Sequence, residues 1–446
     1  MTTPIYNFVE NYIKSKPSRF HMPGHKGVGA LGVEAVDITE ISGADVLYSP
    51  SGIIAESEEN ATALFGTAHS FYSTEGSTLA IKAMLRLVTQ RTPRGERPLI
   101  LAGRNAHKAF IYAAALLDFD IEWLFGDEGS HICECRITPE ALDERLRGMK
   151  KRPAAVYITS PDYLGNLADI SGLSRVADGY GIPLLVDNAH GAYLKFLSPS
   201  LHPIDLGASM CADSAHKTLP VLTGGAYLHI AKKAEIFFEG ARSALSLFAS
   251  TSPSYLILQS LDLANAMVAD GFSERLAKTR AAADAAKAKI SDLGYTVLDT
   301  EPLKIVISLR EYGYTGDEIA EILRADSIEC EFSDRDYTVF MLTPENTNGE
   351  ICRLVSSLSN IQRRPPLTHA LPRIPECERV LTVREAIFAE CEAVSTTSAV
   401  GRILAAPTVS CPPAVPVATS GEVLTEEAIE ALLYYGIDKV EVVSGV

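Results

Sequence analysis

A lysine does covalent chemistry where its amine is held against an aldehyde, and Lys217 stands in a segment suited to that, Asp213-Ser214-Ala215-His216-Lys217-Thr218, directly after a short apolar run. Its amine can form an imine there, with Ser214 and His216 placed to hydrogen-bond a neighbouring phosphate. On this segment alone an ordinary loop lysine is the alternative. A second run, Pro183-Leu184-Leu185-Val186-Asp187-Asn188-Ala189-His190-Gly191, closes an apolar strand with an acid. A carboxylate at that place can pair with a protonated pyridine nitrogen and keep an electron-accepting ring positive; the alternative is a strand-end aspartate capping the next helix. In Ser73-Thr74-Glu75-Gly76-Ser77-Thr78 a glycine and hydroxyls open a helical pattern. Gly76, Ser77 and Thr78 can form a phosphate cup from unpaired N–H groups and the positive end of the helix dipole, or serve as a plain N-cap. His107, in Gly103-Arg104-Asn105-Ala106-His107-Lys108, can stack on a flat ring or move protons, or be a loop histidine. Together these segments supply an imine lysine, a ring-nitrogen acid, a phosphate cup and a stacking ring, all at the ends of strands.

Such residues need a scaffold that ends several strands at one place. Short apolar runs closed by polar or Gly residues predict strands at 99–102, 155–159, 184–187, 210–213 and 226–230, with helical patterns at 79–88 and 139–149. Strand-helix alternation implies an α/β fold, a mostly parallel sheet with helices on both faces, whose ligands bind beyond the carboxyl ends of the strands. Residues 255–292 read as long helices. A new α/β pattern follows from Gly294, with a strand at 304–309, a helix at 316–324 and a strand at 338–342. The expected organisation is an N-terminal arm (1–70), a large cofactor-binding domain (71–292), a small α/β domain (293–362), a Pro-rich basic linker (363–375) and a C-terminal domain (376–446). The last holds a Pro-rich loop at 412–416, a helix at 425–434 and a strand at 439–443.

Composition narrows the function further. The 446 residues carry a formal charge of −16, which repels nucleic acid and anionic membranes and attracts cations, or simply keeps the chain soluble. Eight cysteines without a disulfide framework point to a reducing compartment. His131, Cys133 and Cys135 alternate, but no second pair lies at zinc spacing, so no metal is expected. The N-terminus has no signal-peptide core and no apolar run reaches about 18 residues, so the chain is expected in the cytoplasm. Walker A, H-E-x-x-H and G-x-S-x-G patterns are absent. Gly24, Gly27 and Gly29 follow no strand and make a poor dinucleotide fingerprint.

The same residues resemble the ornithine/lysine/arginine decarboxylase family of fold-type I pyridoxal-phosphate (PLP) enzymes. The likeness runs through Phe20-His21-Met22-Pro23-Gly24-His25-Lys26-Gly27, Thr39-Glu40-Ile41-Ser42-Gly43-Ala44-Asp45, Gly52-Ile53-Ile54, Arg104-Asn105-Ala106-His107-Lys108, Ser252-Pro253-Ser254-Tyr255, Pro412-Pro413-Ala414-Val415-Pro416-Val417 and Gly421-Glu422. The Ser-x-His-Lys segment is its most specific part. The resemblance implies that Lys217 forms the internal aldimine and Asp187 pairs with the pyridinium nitrogen. It also implies that His107 stacks on the ring, that His190 lies near its phenolic oxygen, and that Ser77 and Thr78, assisted by Ser214 and His216, hold the phosphate. Ser252 or Ser254 is expected to reach a neighbouring subunit's cofactor, because active sites of this fold lie at a homodimer interface. Two positions depart from the family pattern: Glu75 replaces the usual Asn and Asp162 the usual Thr. The chain resembles the compact members, without a receiver-like N-terminal domain.

The implied reaction is decarboxylation of a basic L-amino acid (arginine, lysine or ornithine) to its amine. The acids of Glu329-Cys330-Glu331-Phe332-Ser333-Asp334-Arg335-Asp336, Glu331 and Asp334 above all, are candidates for reading the substrate's charge, or form a solvated acidic turn. The rival expectations are another fold-type I PLP reaction such as transamination, and a PLP-fold regulatory protein without activity.

Overall fold

The structure, a computed structural model, describes residues 1–127, 129–407 and 413–445. Its first strands in chain order are β1 (His69–Ser73), β2 (Leu99–Gly103), β3 (Asp120–Leu124), β4 (Ala155–Thr159), β5 (Leu184–Asp187), β6 (Met210–Asp213) and β7 (Ala226–Ile230). All five strands expected in this part of the chain are present within a residue. β1 and β3 were not expected: β1 falls across the end of the predicted arm, and β3 mixes Asp120 and Glu122 with buried Ile121 and Leu124.

Two compact units divide the chain, one of residues 1–93, 154–156 and 170–274, the other of residues 94–153, 157–169 and 275–446. In the first unit the strand order is β1-β7-β6-β5-β4, with β4 contributing its first residues. β5 and β6 are parallel, whereas β7 runs antiparallel to both β6 and β1. β1, β5 and β6 therefore point the same way, and their last residues, Ser73, Asp187 and Asp213, lie along one edge of the sheet. Leu184, Leu185 and Val186 are fully buried, as central strands covered on both faces require. Helix Gly76–Thr89 is buried on most of its circumference, with Leu79, Ile81, Met84, Leu85 and Leu87 in the core. The expected helical stretch 255–292 is two helices, Tyr255–Ala269 and Phe272–Asp292, parted at Gly271, whose φ of +70° suits glycine.

In the second unit the last residues of β4 are followed by β2 and then β3, the latter two parallel. A four-stranded antiparallel sheet, ordered β10-β11-β9-β8, comprises β8 (Thr296–Val297), β9 (Lys304–Ser308), β10 (Phe332–Ser333) and β11 (Tyr337–Met341). Helices Gly316–Ala325 and Asn348–Ser359 belong to the same unit, each opened by a capping box, Thr315 with Glu318 and Thr347 with Glu350. Near the C-terminus β12 (Cys391–Ser395) pairs with β13 (Lys439–Val443), and helix Glu426–Tyr434 carries Leu432 into a core shared with Val306, Phe332, Val339, Leu424 and Val442. Residues 364–378 form neither helix nor strand. Pro412, the first residue of the predicted Pro-rich loop, lies outside the described residues.

Candidate functional site

Three chain segments leave the shared edge of the first unit's sheet. After β1 comes the start of helix Gly76–Thr89, which no side chain caps. After β5 come Asn188 and His190, and after β6 comes the short helix Ala215–Thr218 with Lys217 in it. Lys217 Nζ lies 3.0 Å from His190 Nε2. Ser214 Oγ donates to Ser77 Oγ at 2.8 Å, so hydroxyls from the β6 and β1 segments meet. The N–H of Gly76, at φ +70°, donates to Gly224 O, and the N–H and Nδ1 of His216 both point to Gly225 O. A Cβ added at Gly224, itself at φ +99°, would come within 2.9 Å of Thr74 O, so the close approach of this loop to the helix start depends on glycine.

Asp187 is buried, and its Oδ1 accepts from the Ala189 N–H at 3.2 Å. Lys217, Asp187, His190, Gly76, Ser77, Ser214 and His216 are thus all carried by the first unit; Thr78 follows Ser77 on the same helix with its side chain exposed. His107 belongs to the second unit, where its Nδ1 accepts the Ala109 N–H and caps helix Lys108–Leu117. That bond puts the ring proton on Nε2. The turn before it is pinned: Arg104 donates to Pro416 O at 2.9 Å and to Val417 O at 2.6 Å, and the Lys108 N–H donates to Ala414 O at 2.9 Å.

Sequence reasoning missed the layer beneath the Lys217 loop. Asp213, fully buried, accepts from Asn188 Nδ2 at 2.8 Å and from His202 Nε2 at 2.9 Å, and His229 Nε2 lies 3.4 Å away. Burial works to raise the Asp213 pKa, but His202 and His229 outweigh it and hold the carboxyl below the usual range; burial pushes His229 down. A histidine inside the otherwise apolar strand Ala-Tyr-Leu-His-Ile was the one sequence signal of this network.

The departures from the family pattern have structural partners. Glu75 Oε1 accepts the Ser250 N–H at 2.7 Å. Ser254 Oγ caps helix Tyr255–Ala269 by accepting from the Ile257 N–H. Asp162, buried in the second unit, accepts from both the N–H and Nδ2 of Asn166, and burial pushes its carboxyl up to about 6. Asp334 is engaged by His131 Nε2 at 2.6 Å and by the N–H groups of Asp336 and Tyr337, while Glu331, exposed, accepts from Tyr163 Oη at 2.8 Å. Among the described residues no helix is long and apolar enough to cross a membrane.

The donor set at the sheet edge fits pyridoxal phosphate. It offers an amine for the aldehyde, a buried acid for the ring nitrogen, and an uncapped helix start with paired hydroxyls for the phosphate. Asn188 Oδ1 and Thr218 Oγ1, flanking Asp187 and Lys217 in sequence, are buried and meet no hydrogen-bond partner among the described residues.

Comparison with known proteins agrees with this fit. A family model described as "Orn/Lys/Arg decarboxylase, major domain" matches residues 3–298. The arginine decarboxylase of Bacillus subtilis (strain 168) is 29% identical over 466 residues, covering 96% of this chain and 92% of that protein. The constitutive lysine decarboxylase of Escherichia coli (strain K12) is 26% identical over 315 residues, 62% of this chain and 42% of that one. Among solved structures, the Francisella novicida lysine decarboxylase LdcF superposes with a TM-score of 0.81 at 19% identity, covering 99% of this chain and 81% of that chain. The α/β fold-type I architecture expected from the sequence is the one observed.

Proposed function

Because the chain belongs to the Orn/Lys/Arg decarboxylase family, we propose that it removes the α-carboxylate of a basic L-amino acid, with pyridoxal 5'-phosphate as its cofactor. Arginine is the first substrate to test, since curated relatives matching it over nearly its full length are named arginine decarboxylases. The observation that carries the reading is the approach of Lys217 Nζ to His190 Nε2, 3.0 Å, on strand ends adjacent to Asp187.

Bound pyridoxal phosphate supplies an aldehyde that takes the substrate's α-amine and a ring that accepts the electrons left when carbon dioxide departs. The chain's own residues do the rest. Lys217 would hold the aldehyde between turnovers. Asp187, buried beside this site, would keep a proton on the ring nitrogen. Ser77, Thr78, Ser214, His216 and the N–H groups at the helix start would grip the phosphate, and His107 would stack on the ring with its orientation set by the Ala109 N–H. His190 Nε2 can share a proton with the Lys217 amine, so either group can return one to the substrate's α-carbon. For the substrate's charged end we favour Glu331 over Asp334, because the Asp334 carboxylate is already engaged by His131 and two backbone N–H groups. We take the active form to be a homodimer or larger homo-oligomer acting in the cytoplasm.

The purified protein, loaded with the cofactor, is assayed on arginine, lysine and ornithine for carbon dioxide and for agmatine, cadaverine and putrescine. One amine formed in step with carbon dioxide is the expected outcome. A keto acid product would replace the reading with transamination, and bound cofactor with no product from any of the three would replace it with a regulatory role.

A further inference from the structure

We propose that Asp213 is a positioning residue: through Asn188 it locks the strand end carrying Asp187 against the strand end carrying Lys217, and so sets where the cofactor's ring lies. This rests on the cofactor reading given above.

Asp213 is the last residue of β6, four positions before Lys217, and Asn188 is the first residue after Asp187. Asn188 is tied to β6 twice. Its backbone N–H donates to Ala212 O at 3.0 Å, and its Nδ2 donates to Asp213 Oδ1 at 2.8 Å. The other carboxylate oxygen is fixed from below, where His202 Nε2 donates to Oδ2 at 2.9 Å. His202 Nδ1 faces the Ile204 N–H at 3.4 Å, so the ring proton sits on Nε2. His202 is fully buried and packs on Phe65, with ring centroids 5.5 Å apart. His229, paired with Cys211 across β6 and β7, is held through Nδ1 by Ser70 Oγ at 2.8 Å, and Ser70 is bonded in turn to Thr67. The ligand-type atoms of His202, Cys211 and Asp213 cluster within 4.8 Å, but the proton on His202 Nε2 makes that nitrogen a donor to the carboxylate rather than a metal ligand.

Asp213 thus takes Asn188 Nδ2 on Oδ1 and His202 Nε2 on Oδ2, with Cys211 Sγ 3.6 Å from Oδ1 and His229 Nε2 3.4 Å from Oδ2. A cofactor bound covalently at 217 and ion-paired at 187 spans the two strand ends that this clamp joins. A misplacement of about 1 Å between such anchors costs on the order of 100-fold in rate. The clamp also makes an unusual demand on residue type. An amide at 213 offers one acceptor and one donor; its oxygen can keep His202 Nε2–H, which cannot switch tautomer against the Ile204 N–H, but Asn188 then faces an NH2 and must turn its own amide to present Oδ1. The near-isosteric D213N change therefore weakens the clamp by trading charge-assisted bonds for neutral ones. Exchanging the two residues, D213N together with N188D, restores it: the new amide oxygen accepts from His202 and its NH2 donates to the new carboxylate.

The test compares wild type, D213N, N188A and D213N/N188D. It measures pyridoxal phosphate dissociation constants, the visible circular dichroism of the bound cofactor (which reports ring orientation), thermal midpoints of the cofactor-free proteins, and kcat. The expected result is about 10- to 100-fold weaker cofactor binding and an altered dichroic band in D213N and N188A, with both recovering to within about threefold of wild type in the exchange variant. If D213N does not fold, N188A removes the same bond from the other side. Wild-type affinity and dichroism in N188A, or an exchange variant that folds but binds no better than N188A, overturns the proposal while leaving the cofactor reading intact. Failure of the wild type itself to bind the cofactor overturns both.

Discussion

Lys304 opens strand β9 with its side chain wholly buried, and replacing it with methionine should cost a large share of the protein's stability. Its Nζ lies 3.1 Å from Glu301 Oε1, also buried, and donates to the carbonyls of Asp162 and Tyr163 at 3.3 Å each. The fit around it is tight: a Cβ on Gly165 would come within 3.0 Å of Lys304 Cδ, and the Glu301 N–H donates to Gly165 O. Lys304→Met keeps the bulk of the stem but takes from the buried Glu301 carboxylate its ion pair with Lys304 and leaves two carbonyls without this donor. Breaking a buried pair from one side costs about 3–5 kcal/mol, and native proteins hold only about 5–15 kcal/mol in all. Neutralising the acid in K304M/E301Q should return about half of that loss, because the remaining penalty is that of a polar group and not of a charge. Urea unfolding of wild type, K304M, E301Q and the double variant measures each difference. A K304M midpoint equal to wild type, or a double variant no more stable than K304M, refutes the reasoning.

Asp162 has its carboxyl raised to about 6 by burial, so its contribution to stability is fully present below about pH 4 and is lost as pH rises through about 6. Relative to D162N, wild type should therefore lose about 2 kcal/mol between pH 4 and 7; a difference that stays flat over that range would count against the assignment. Gly421, at φ +88°, has Leu381 O 2.1 Å from where a Cβ would sit, so Gly421→Ala should lower the thermal midpoint by several degrees or abolish soluble expression. Lys217→Ala should abolish amine formation, and borohydride reduction of the loaded wild type should fix the cofactor to the peptide containing residue 217; label on any other peptide would exclude Lys217. Glu331→Gln should raise KM for the cationic substrate severalfold with kcat little changed, and an unaltered KM would remove Glu331 from substrate recognition.

Most of the first unit's sheet could be read in the sequence because central parallel strands are unbroken apolar runs of four or five residues with polar stops. The parallel strands at 184–187 and 210–213 announced themselves this way. β1 did not, since His69-Ser70-Phe71-Tyr72-Ser73 owes its burial to neighbours far along the chain, among them β7. Of the candidate site, Lys217, Asp187 and the Gly76 helix start were visible as residue types at strand ends. The partners that fix them were not. Asn188, His202 and His229 meet Asp213 only after β5, β6 and β7 have been laid side by side, and Lys304 meets the Asp162 loop across 142 residues of chain. Periodicity carries no information about such meetings, because each involves a polar residue whose partner is chosen by tertiary contact.

The fork by which Arg104 grips the carbonyls of Pro416 and Val417 bridges 312 and 313 residues. A ribosome delivers the guanidinium long before either carbonyl exists. Until then the turn that presents His107 has no bolt, and a nascent chain can shape that corner only in outline. Assembly must therefore run backwards at this point, with a segment made late completing one made early. Contacts so distant in sequence slow folding and leave apolar surface open meanwhile, so a polypeptide cut short after residue 400 should keep its Lys217 loop within reach of native order while the His107 turn never closes.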